Sequence, residues 1–482
     1  MKKTLAILSA LLLSACVDAP PTTPQEKPLA PQSLGLGTTP APRPAGQWWT
    51  AFHDPQVDRL APLLLKDNPT LASAMARIHA AEAELSANRA QDRPQVTLDG
   101  EEQRLLLSNT YIYPPPYAGT YRWVGQVAGN LTWNLDFWGK QADLIKRARD
   151  TARAAVLDRE AARLALSGSF AQVYVDLLLA YQDGDIADAT VAERQEILKL
   201  TQNRFNAGLE NASAVEEAKA LVALAKTDQK RFAAQRDVDV HAIAALTGQG
   251  ADAYASISRP VPALDTALPL PQSLPADLLA RRPDILAARA RIDAAMAGRA
   301  AAHAAFYPNI NLTALAGFQA IGLSDLLMGN NFTYGAGPAI DLPIFDAGKL
   351  RADYAGATAQ LDSAIADYNG AVLNAIKQTA DALTEVRSLE SQRADQQAAL
   401  DSATRAFHLA EERYRTGLSG QIPMLTAEST LLTARQQMAG LVAQLAIQRI
   451  TLLLASGGSF TPPDALAADR AVTHPSDTKT QD

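Results

Sequence analysis

The residues that could support catalysis are scattered along this sequence. Its six histidines never stand four residues apart, the spacing that places two imidazoles on one helix face for a metal ion. A phosphate-binding GxxxxGK[ST] loop is missing. The stretch "GLSGQ" (417–421) has the form of a serine nucleophile turn, but no strand pattern precedes Ser419. We therefore expect a protein that is not an enzyme and that holds neither a metal nor a cofactor.

One residue, Cys16, is predicted to carry a covalent lipid. Two lysines precede an apolar run at residues 4–13, which is too short to span a bilayer and has the form of a secretory signal. The run ends in "LSAC" (13–16), which resembles a bacterial lipobox, where a lipid is attached to the cysteine and the chain is cut just before it. Cys16 is the only cysteine, so an intrachain disulfide is excluded. An ordinary signal peptide with an incidental cysteine is the alternative. Val17, in place of Asp, indicates delivery to the outer membrane.

Charge and hydropathy narrow the possible partners. The formal charge is −7, and removal of residues 1–15 deletes two lysines and no acids, which gives −7 − 2 = −9. An acidic mature chain argues against nucleic acid as a partner. No later segment has 18 consecutive apolar residues, so no transmembrane helix is expected. A chain of this kind can cross a membrane only with strands.

The body of the chain is an internal repeat with an offset of 209 positions. "RFNAGL" (204–209) recurs as "RYRTGL" (413–418), and Gly139-Lys140 recurs as Gly348-Lys349. Each repeat has the pattern helix, strand, strand, very long helix, turn, helix. The predicted organisation is a signal peptide (1–15), a lipidated Pro-rich tether (16–45), a first repeat (46–248), a linker (249–275), a second repeat (276–457) and a disordered polar tail (458–482).

Four amphipathic strands are predicted, and each is about long enough to span a membrane. They cover residues 95–107, 123–137, 309–320 and 332–344. The second alternates apolar residues at odd positions with small or polar residues at even positions. The first is the weakest, because Glu101 to Arg104 breaks its alternation.

Four strands cannot close a barrel, and open sheet edges cannot be left in lipid. Three copies would supply twelve strands, enough for a barrel that is open inside. The odd face of the second strand would then meet lipid, with Trp123 and Trp133 as membrane-interface aromatics, and its even face would meet a water-filled lumen.

The longest helices are predicted between the strands and two glycine turns. Residues 140–207 and 349–416 contain no proline and would each be about 100 Å long as helices. Both carry charges throughout, so they are expected to stand in water and pack on one another as antiparallel hairpins that turn at Gly208 and Gly417. "QDGD" (182–185) is expected to interrupt the first, and a capping box at Ser213 to Glu216 to restart its return helix. The fold class is mainly α with a small β part.

Three stretches of the sequence, which include the third and fourth predicted strands, resemble a known family. "RRPDILAARARIDAAMAGRAAAHAAFYPNINLTALAGF" (281–318) resembles the signature of TolC/OprM-type outer-membrane efflux channels, and "GPAIDLPIFDAGKLRA" (337–352) is similar to their last strand and helix start. "WWTAFHDPQVDRL" (48–60) is similar to the NodT-like lipoprotein branch. The resemblance covers residues 48 to about 457.

This resemblance implies a homotrimeric channel in a Gram-negative outer membrane. Its strands would form a 12-stranded β-barrel and its helices an α-helical barrel across the periplasm. Such channels dock on a periplasmic adaptor (membrane fusion) protein and an inner-membrane pump of RND or MFS type, and they give drugs or toxic small molecules a passive exit.

The resemblance also assigns roles to the hairpin turns. Family members meet the adaptor through Gly-hydrophobic pairs at the tips, which match Gly208-Leu209 and Gly417-Leu418; alternatively, these glycines only end helices. The family commonly narrows its entrance with aspartates, but the matching positions here are Pro423 and Thr426. Nearby Glu428 and Glu216 are the remaining candidates for an entrance charge.

Two other functions remain open at this point. The same fold could export polypeptides, and only the neighbouring pump would distinguish that cargo. A periplasmic coiled-coil lipoprotein with a structural role and no pore is a different class, and the four amphipathic strands argue against it.

Overall fold

A computed structural model describes most of the body of the chain. The described residues are 22–30, 34–37, 40, 47–110, 112–262, 268, 270–271, 273–275 and 277–461. The predicted signal peptide, Cys16 and residues 462–482 of the predicted tail lie outside them.

Two long helical hairpins and one four-stranded sheet make up the described fold. The helices are α1 (Pro55–Asp67), α2 (Pro69–Gln91), α3 (Lys140–Asn206), α4 (Ala212–Leu246), α5 (Leu278–Arg281), α6 (Pro283–Ala304), α7 (Lys349–Arg415) and α8 (Gln421–Ala455). The strands are β1 (Gln95–Leu106), β2 (Tyr121–Asn134), β3 (Asn309–Ile321) and β4 (Phe332–Asp341). All four predicted strands are confirmed, with ends shifted by up to three residues.

The repeat is reproduced element by element. Helices α3 and α7 have 67 residues each, and α4 and α8 have 35 each. Both pairs start 209 positions apart, the offset found in the sequence. At 1.5 Å per residue, α3 and α7 are each about 100 Å long.

The predicted interruption of the first long helix is wrong. Helix α3 runs unbroken through residues 182–185. A glycine inside a helix costs only about 1 kcal/mol relative to alanine. Buried residues on both sides, including Tyr174, Leu177 and Ala187, anchor the helix by packing, and that outweighs the local penalty.

The predicted capping box at Ser213 is also wrong. Helix α4 begins two residues earlier than that pattern implies, with Asn211 as its N-cap. The Asn211 side chain accepts a hydrogen bond from the Ala214 backbone N–H at 2.9 Å. Asparagine is among the strongest N-cap residues, so the turn after Gly208 can close within three residues.

The sheet is antiparallel, with strand order β1-β2-β3-β4. The central pairing of β2 with β3 joins the two repeats, with Gly129 opposite Ala316. Strands β1 and β4 are the two edges, and each pairs on one side only. The sheet therefore carries two open edges within a single chain.

The register separates an apolar from a polar face. One face carries Val96, Leu98, Val127, Leu131, Trp133, Leu312, Ala314, Phe318, Phe332, Tyr334 and Ala336. The other carries Thr97, Asp99, Glu101, Gln126, Asn130, Thr132, Thr313, Gln319 and Thr333. The break in alternation of β1 is explained by position: Glu102 and Arg104 lie on the apolar face at its loop end, opposite Gly125 and Trp123.

Two compact units divide the described chain, and neither coincides with one repeat. Within the described residues, the first consists of those in 22–28, 77–156 and 287–369, and it contains the sheet. The second consists of the described residues in 29–76, 157–286 and 370–461. Each unit draws on both repeats, because strands and helices of the two repeats pack side by side.

The second unit has a core built around the aromatic residues of the "WWTAF" stretch. Trp48, Trp49 and Phe52 pack against Tyr174 of α3 and Ile450 of α8. By length and composition, α3 and α8 also contain windows apolar enough to cross a membrane. Both helices contribute buried residues to this core, and 50% and 39% of the two windows are buried.

The first unit holds the start of the described chain as a strap along α6 and α7. Arg299 of α6 donates to the Thr22 carbonyl at 2.6 Å, and the backbone N–H groups of Gln25 and Glu26 donate to Asp362 at 2.9 and 3.0 Å. The Asn369 amide donates to the Lys27 carbonyl at 3.0 Å. We call residues 22–28 the strap.

Candidate functional site: the hairpin tips and the sheet

The two hairpin tips have the same backbone geometry. Gly208 and Gly417 have φ values of +70° and +74°, the left-handed region that glycine enters without strain. The N–H of Leu209 donates to the Arg204 carbonyl and that of Leu418 to the Arg413 carbonyl, both at 2.8 Å. These are Schellman closures of α3 and α7. The glycines therefore do end helices.

The residues after the glycines are the unusual part of the tips. In a Schellman closure this position often packs back on the helix. Here the leucines project away, with 68% of Leu209 and 73% of Leu418 exposed. Ile422, at the start of α8, is 71% exposed. The tips thus present apolar side chains that the fold itself does not use.

A polar and aromatic contact joins the two tips in the second unit. Arg204 donates to the Tyr414 carbonyl at 3.2 Å, and its guanidinium lies 4.8 Å from the centre of the Tyr414 ring. The Tyr414 hydroxyl is hydrogen-bonded to Thr201 at 3.0 Å, and both residues are fully buried. The tips of the two hairpins are therefore held level with each other.

A buried ion pair lies further along the same hairpins. Arg194 of α3 donates to Glu428 of α8 at 3.0 Å and also to the Leu221 carbonyl of α4 at 3.0 Å. Burial raises the pKa of the Glu428 carboxyl, and the Arg194 charge opposes that rise. The expectation that Glu428 supplies an entrance charge is thereby corrected. Only 2% of Glu428 is exposed, because the residue faces the other hairpin.

We expect Glu428→Ala to destabilise the paired hairpins by about 3–5 kcal/mol, because it leaves the Arg194 charge buried without its partner. Thermal unfolding followed by helical circular dichroism measures the loss. The double variant Arg194→Leu with Glu428→Leu should recover most of it, since a buried pair replaced by apolar residues is often neutral. A double variant as unstable as the single one would contradict this account.

The other three entrance candidates are exposed. Glu216 pairs with Lys219 at 2.8 Å in a solvent-facing i,i+3 contact. Pro423 and Thr426 lie in the first two turns of α8, and the Thr426 hydroxyl donates to the Ile422 carbonyl at 3.0 Å. Pro423 and Thr426 thus form a neutral surface at the positions that match the entrance aspartates of TolC/OprM-type channels.

Buried acids occupy the same unit between α3 and α4. Asp239 is 6% exposed and accepts a hydrogen bond from Gln235 at 2.9 Å. Its second carboxylate oxygen has no partner among the described residues. Burial raises the pKa of Asp239, and burial together with the Asp239 charge raises that of Asp176.

We expect Asp239→Asn to stabilise the protein at neutral pH by about 1 kcal/mol, because it removes an unsatisfied buried charge. A carboxyl whose folded pKa is raised contributes stability below its unfolded pKa and loses it as the pH rises through the folded value. The gain should therefore be larger at pH 7.5 than at pH 4. Melting temperatures at both pH values test this, with the exposed Asp237→Asn as control. Equal shifts at both values would contradict it.

Both tryptophans proposed as membrane-interface aromatics lie on the apolar face of the sheet. Trp123 pairs with Arg104 and Trp133 with Leu312, and they are 50% and 37% exposed. The Trp133 indole N–H donates to the Asp92 carbonyl at 3.1 Å. The two residues mark opposite ends of β2.

Sequence reasoning missed the contacts between the two hairpins. Arg194 and Tyr414 have no counterpart at the repeat-related positions, where Ala403 and Phe205 stand. This difference between the repeats could have indicated that each of these residues makes a contact that its repeat-related position does not make. Among the described residues no three His, Cys, Asp or Glu side chains gather as a metal site.

The hairpins, the open sheet and the exposed tips define a class of outer-membrane channel. Residues 60–249 and 274–458 match the outer membrane efflux protein family. The chain belongs to that family.

Named relatives and solved structures agree with this assignment. The fusaric acid resistance protein FusA of Burkholderia cepacia is 33% identical over 365 residues, covering 74% of this chain and 69% of FusA. The pyoverdine export outer membrane protein OpmQ of Pseudomonas aeruginosa is 30% identical over 444 residues, covering 90% and 92%. The crystal structure of the outer membrane protein VceC from Vibrio cholerae matches with a TM-score of 0.81 at 31% identity, covering 87% of this chain and 100% of that one.

Several expectations from sequence are confirmed by this membership. The protein is an outer-membrane efflux channel and not an enzyme. Proteins of this family form trimers and work with adaptor and inner-membrane pump partners.

Proposed function

We propose that three copies of this chain form a passive exit duct for small toxic molecules within a tripartite pump. The adaptor would dock on the hairpin tips, and an inner-membrane transporter of RND or MFS type would supply the energy. The duct itself would need no catalytic residue.

The open sheet is the observation that carries this proposal. It has two unpaired edges and an apolar face on which Val96, Leu98 and Tyr334 are 72%, 77% and 80% exposed. For a single chain the unpaired edges are unfavourable in lipid, and the exposed apolar face is unfavourable in water. Pairing of β4 of one copy with β1 of the next removes all edges once three copies close twelve strands. Lipid would then cover the apolar face, and the polar face would line a lumen.

Small molecules are favoured over polypeptides as cargo. The relatives at 30% identity or more include proteins named for fusaric acid resistance, pyoverdine export and multidrug resistance. We extend that chemistry, small organic molecules, to this chain.

A gel experiment tests the trimeric barrel. Outer-membrane fractions are run with and without boiling, because a closed barrel of three chains resists the detergent until it is heated. We expect a slow band at about three times the mass of the chain that converts on boiling to a band slightly below the 51.3 kDa of the full chain, because residues 1–15 are expected to be removed. A single monomer band in both lanes, with crosslinking that also fails to join chains, would overturn the proposal.

A lipid on Cys16 is a separate expectation with its own test. We expect Cys16→Ser to eliminate incorporation of labelled palmitate, because the thiol is the attachment atom in the "LSAC" pattern. Ser14→Ala is the matched control and should keep full labelling, because it leaves the cysteine and the small residue before the cleavage site. Trimers should persist in both variants, since the apolar face of the sheet is an independent anchor. Undiminished labelling of Cys16→Ser would contradict this assignment.

A further inference from the structure

We propose that a groove on the lumen side of the helical duct binds amphipathic organic cations on their way out. The groove lies between α3, α7, α8 and the first turn of α6, entirely within the second unit. This assignment rests on the proposed function and deepens it, because it names a class of cargo and a place in the duct that holds it.

The groove has the size and lining of a small-molecule site. It is a cavity of about 570 Å³, which suits a drug-sized molecule. Its floor is apolar and formed by Leu164, Ile447, Ile450 and Leu454. Its rim consists of exposed residues: Ala165, Ser169, Gln172, Gln378 and Thr451. An apolar floor below a polar rim is expected where an amphipathic molecule binds.

The α3 wall of the groove is specific to the first repeat. Gly168 lets α3 and α8 approach closely, because a Cβ atom at this position would lie 2.4 Å from Leu454 Cδ1. The repeat-related positions of Gly168 and Gln172 are Lys377 and Asp381, which form an ion pair. The residues that build this wall on α3 are therefore not repeated on α7.

The groove and the aromatic core lie on different sides of α3. The rim residues of α3 follow the spacing i, i+4, i+7 from Ala165 to Gln172. The core residues of α3 follow the same spacing from Phe170 to Leu177. At 3.6 residues per turn, an offset of five residues separates the two stripes by about 140°. The groove thus opens away from the layer that the "WWTAF" stretch and α1 add to the core.

In the proposed trimer, α3 lies inside the set of helices of its own chain and not at the edge. Arg194 of α3 donates to the Leu221 carbonyl of α4 on one flank and to the Glu428 carboxylate of α8 on the other. A neighbouring copy therefore meets α4 or α7 before it meets α3. The remaining side of α3, which carries the rim, faces either the lumen or the outside of the ring.

The width of the lumen decides between these two sides. Twelve helices packed about 10 Å apart have their axes on a circle about 38 Å across, which leaves a lumen of roughly 28 Å. Three additional layers, each about 10 Å thick, would obstruct this lumen if the aromatic cores pointed inwards. The cores therefore lie outside, and the groove on the other side of α3 lines the path of the cargo.

The polar groups of the groove favour a ligand that donates hydrogen bonds. Arg282 directs its N–H groups to both carboxylate oxygens of Asp284, to Gln378 and to the Ala455 carbonyl, at 2.7 to 3.2 Å. Its side chain is only 11% exposed, whereas that of Asp284 is 41% exposed. The Thr451 hydroxyl donates to the Ile447 carbonyl at 2.9 Å, so it meets a ligand as an acceptor.

Charge gives the same preference as hydrogen bonding. The Arg282–Asp284 pair is neutral as a whole, but its exposed member is the carboxylate. Three mature copies would carry a formal charge of 3 × −9 = −27, which raises the concentration of cations in a narrow lumen. A protonated amine on an apolar body satisfies the acceptors, the charge and the floor together.

Binding of the cationic dye rhodamine 6G to trimers in lipid nanodiscs tests the groove. Fluorescence polarisation measures the dissociation constant, with empty nanodiscs as the lipid background. Rhodamine 19 is the matched probe, because it has the same ring system with a carboxylate in place of the ethyl ester and is a zwitterion. We expect rhodamine 6G to bind severalfold more tightly than rhodamine 19.

Variants that fill the groove locate the bound dye. We expect Ala165→Trp to weaken rhodamine 6G binding by about tenfold or more, because the indole takes the place of the dye over the apolar floor. Gln172→Trp is a second filling variant and should act in the same direction. Ala189→Trp is the control, because it makes the same change at another exposed alanine of α3, outside the groove. It should leave the affinity unchanged.

Three results would overturn the groove as a cation site. They are no binding of rhodamine 6G to the unchanged trimer, equal affinities for the two dyes, and full affinity in both filling variants. The boiled and unboiled gel lanes show whether each variant forms trimers. Loss of trimers from the unchanged chain would overturn the proposed function and the groove with it, so the two failures are distinguishable.

Discussion

We expect Leu98→Arg to eliminate the outer-membrane trimers, which are seen as a gel band that dissociates on boiling. We expect Thr97→Arg to leave these trimers in place. Leu98 lies on the apolar face, opposite Gly129, and the preceding Thr97 lies on the polar face, opposite Asn130. An arginine facing lipid near the middle of a barrel strand costs about 2–4 kcal/mol. Three chains carry the change, so the trimer bears that cost three times.

The two variants are matched in charge, size and strand. Both change an exposed residue of β1, so a general effect of arginine on the strand would appear in both. The unboiled gel band and drug susceptibility of the cells measure the outcome. Equal trimer yields for Leu98→Arg and Thr97→Arg would show that the apolar face does not meet lipid.

The combination Leu209→Asp with Leu418→Asp is expected to abolish drug export while trimers remain in the outer membrane. Each leucine projects from a closed helix end, with 68% and 73% of its surface exposed, so the fold does not depend on either. Burial of one leucine at a docking surface contributes about 1.5–3 kcal/mol. Loss of both should weaken adaptor binding by a factor of about 100 or more.

Two further variants separate docking from the turn itself. Leu209→Met with Leu418→Met keeps an apolar side chain of similar volume and should retain export. Gly208→Ala with Gly417→Ala forces alanine into positive φ, at about 1–2 kcal/mol per turn, and should lower trimer stability with the leucines still in place. Crosslinking to the adaptor is the direct measurement. Wild-type crosslinking of the aspartate variant would refute the docking role of the leucines.

Local patterns predicted much of this fold. Proline spacing and the offset of 209 positions located both long helices, because uninterrupted helices of this length depend on local propensity and on the absence of breakers. Period-two alternation located the strands to within three residues. The two glycine turns could also be predicted from the sequence, because few residues other than glycine adopt a positive φ without strain.

The errors came from interactions between segments distant in sequence. The glycine in "QDGD" reads as a helix break, yet packing on both sides carries α3 through it. Glu428 reads as an exposed helix glutamate, and only the approach of Arg194, 234 positions earlier, shows why it is buried. Ile344 reads as the end of the fourth strand, but β4 ends at Asp341, where its pairing with β3 stops.

The equal lengths of the paired helices restrict how this chain can change in evolution or by engineering. Helices α3 and α7 have 67 residues each, and Arg204 and Tyr414 meet only if both hairpins end at the same level. A seven-residue deletion in α3 alone would withdraw its tip by about 10 Å and separate that contact. Matched deletions in all four helices would instead shorten the duct and keep its end flat. The length of the helical part of such a channel can therefore change only if both repeats change by the same amount. A channel that docks on an adaptor of different length would need equal changes in its two repeats.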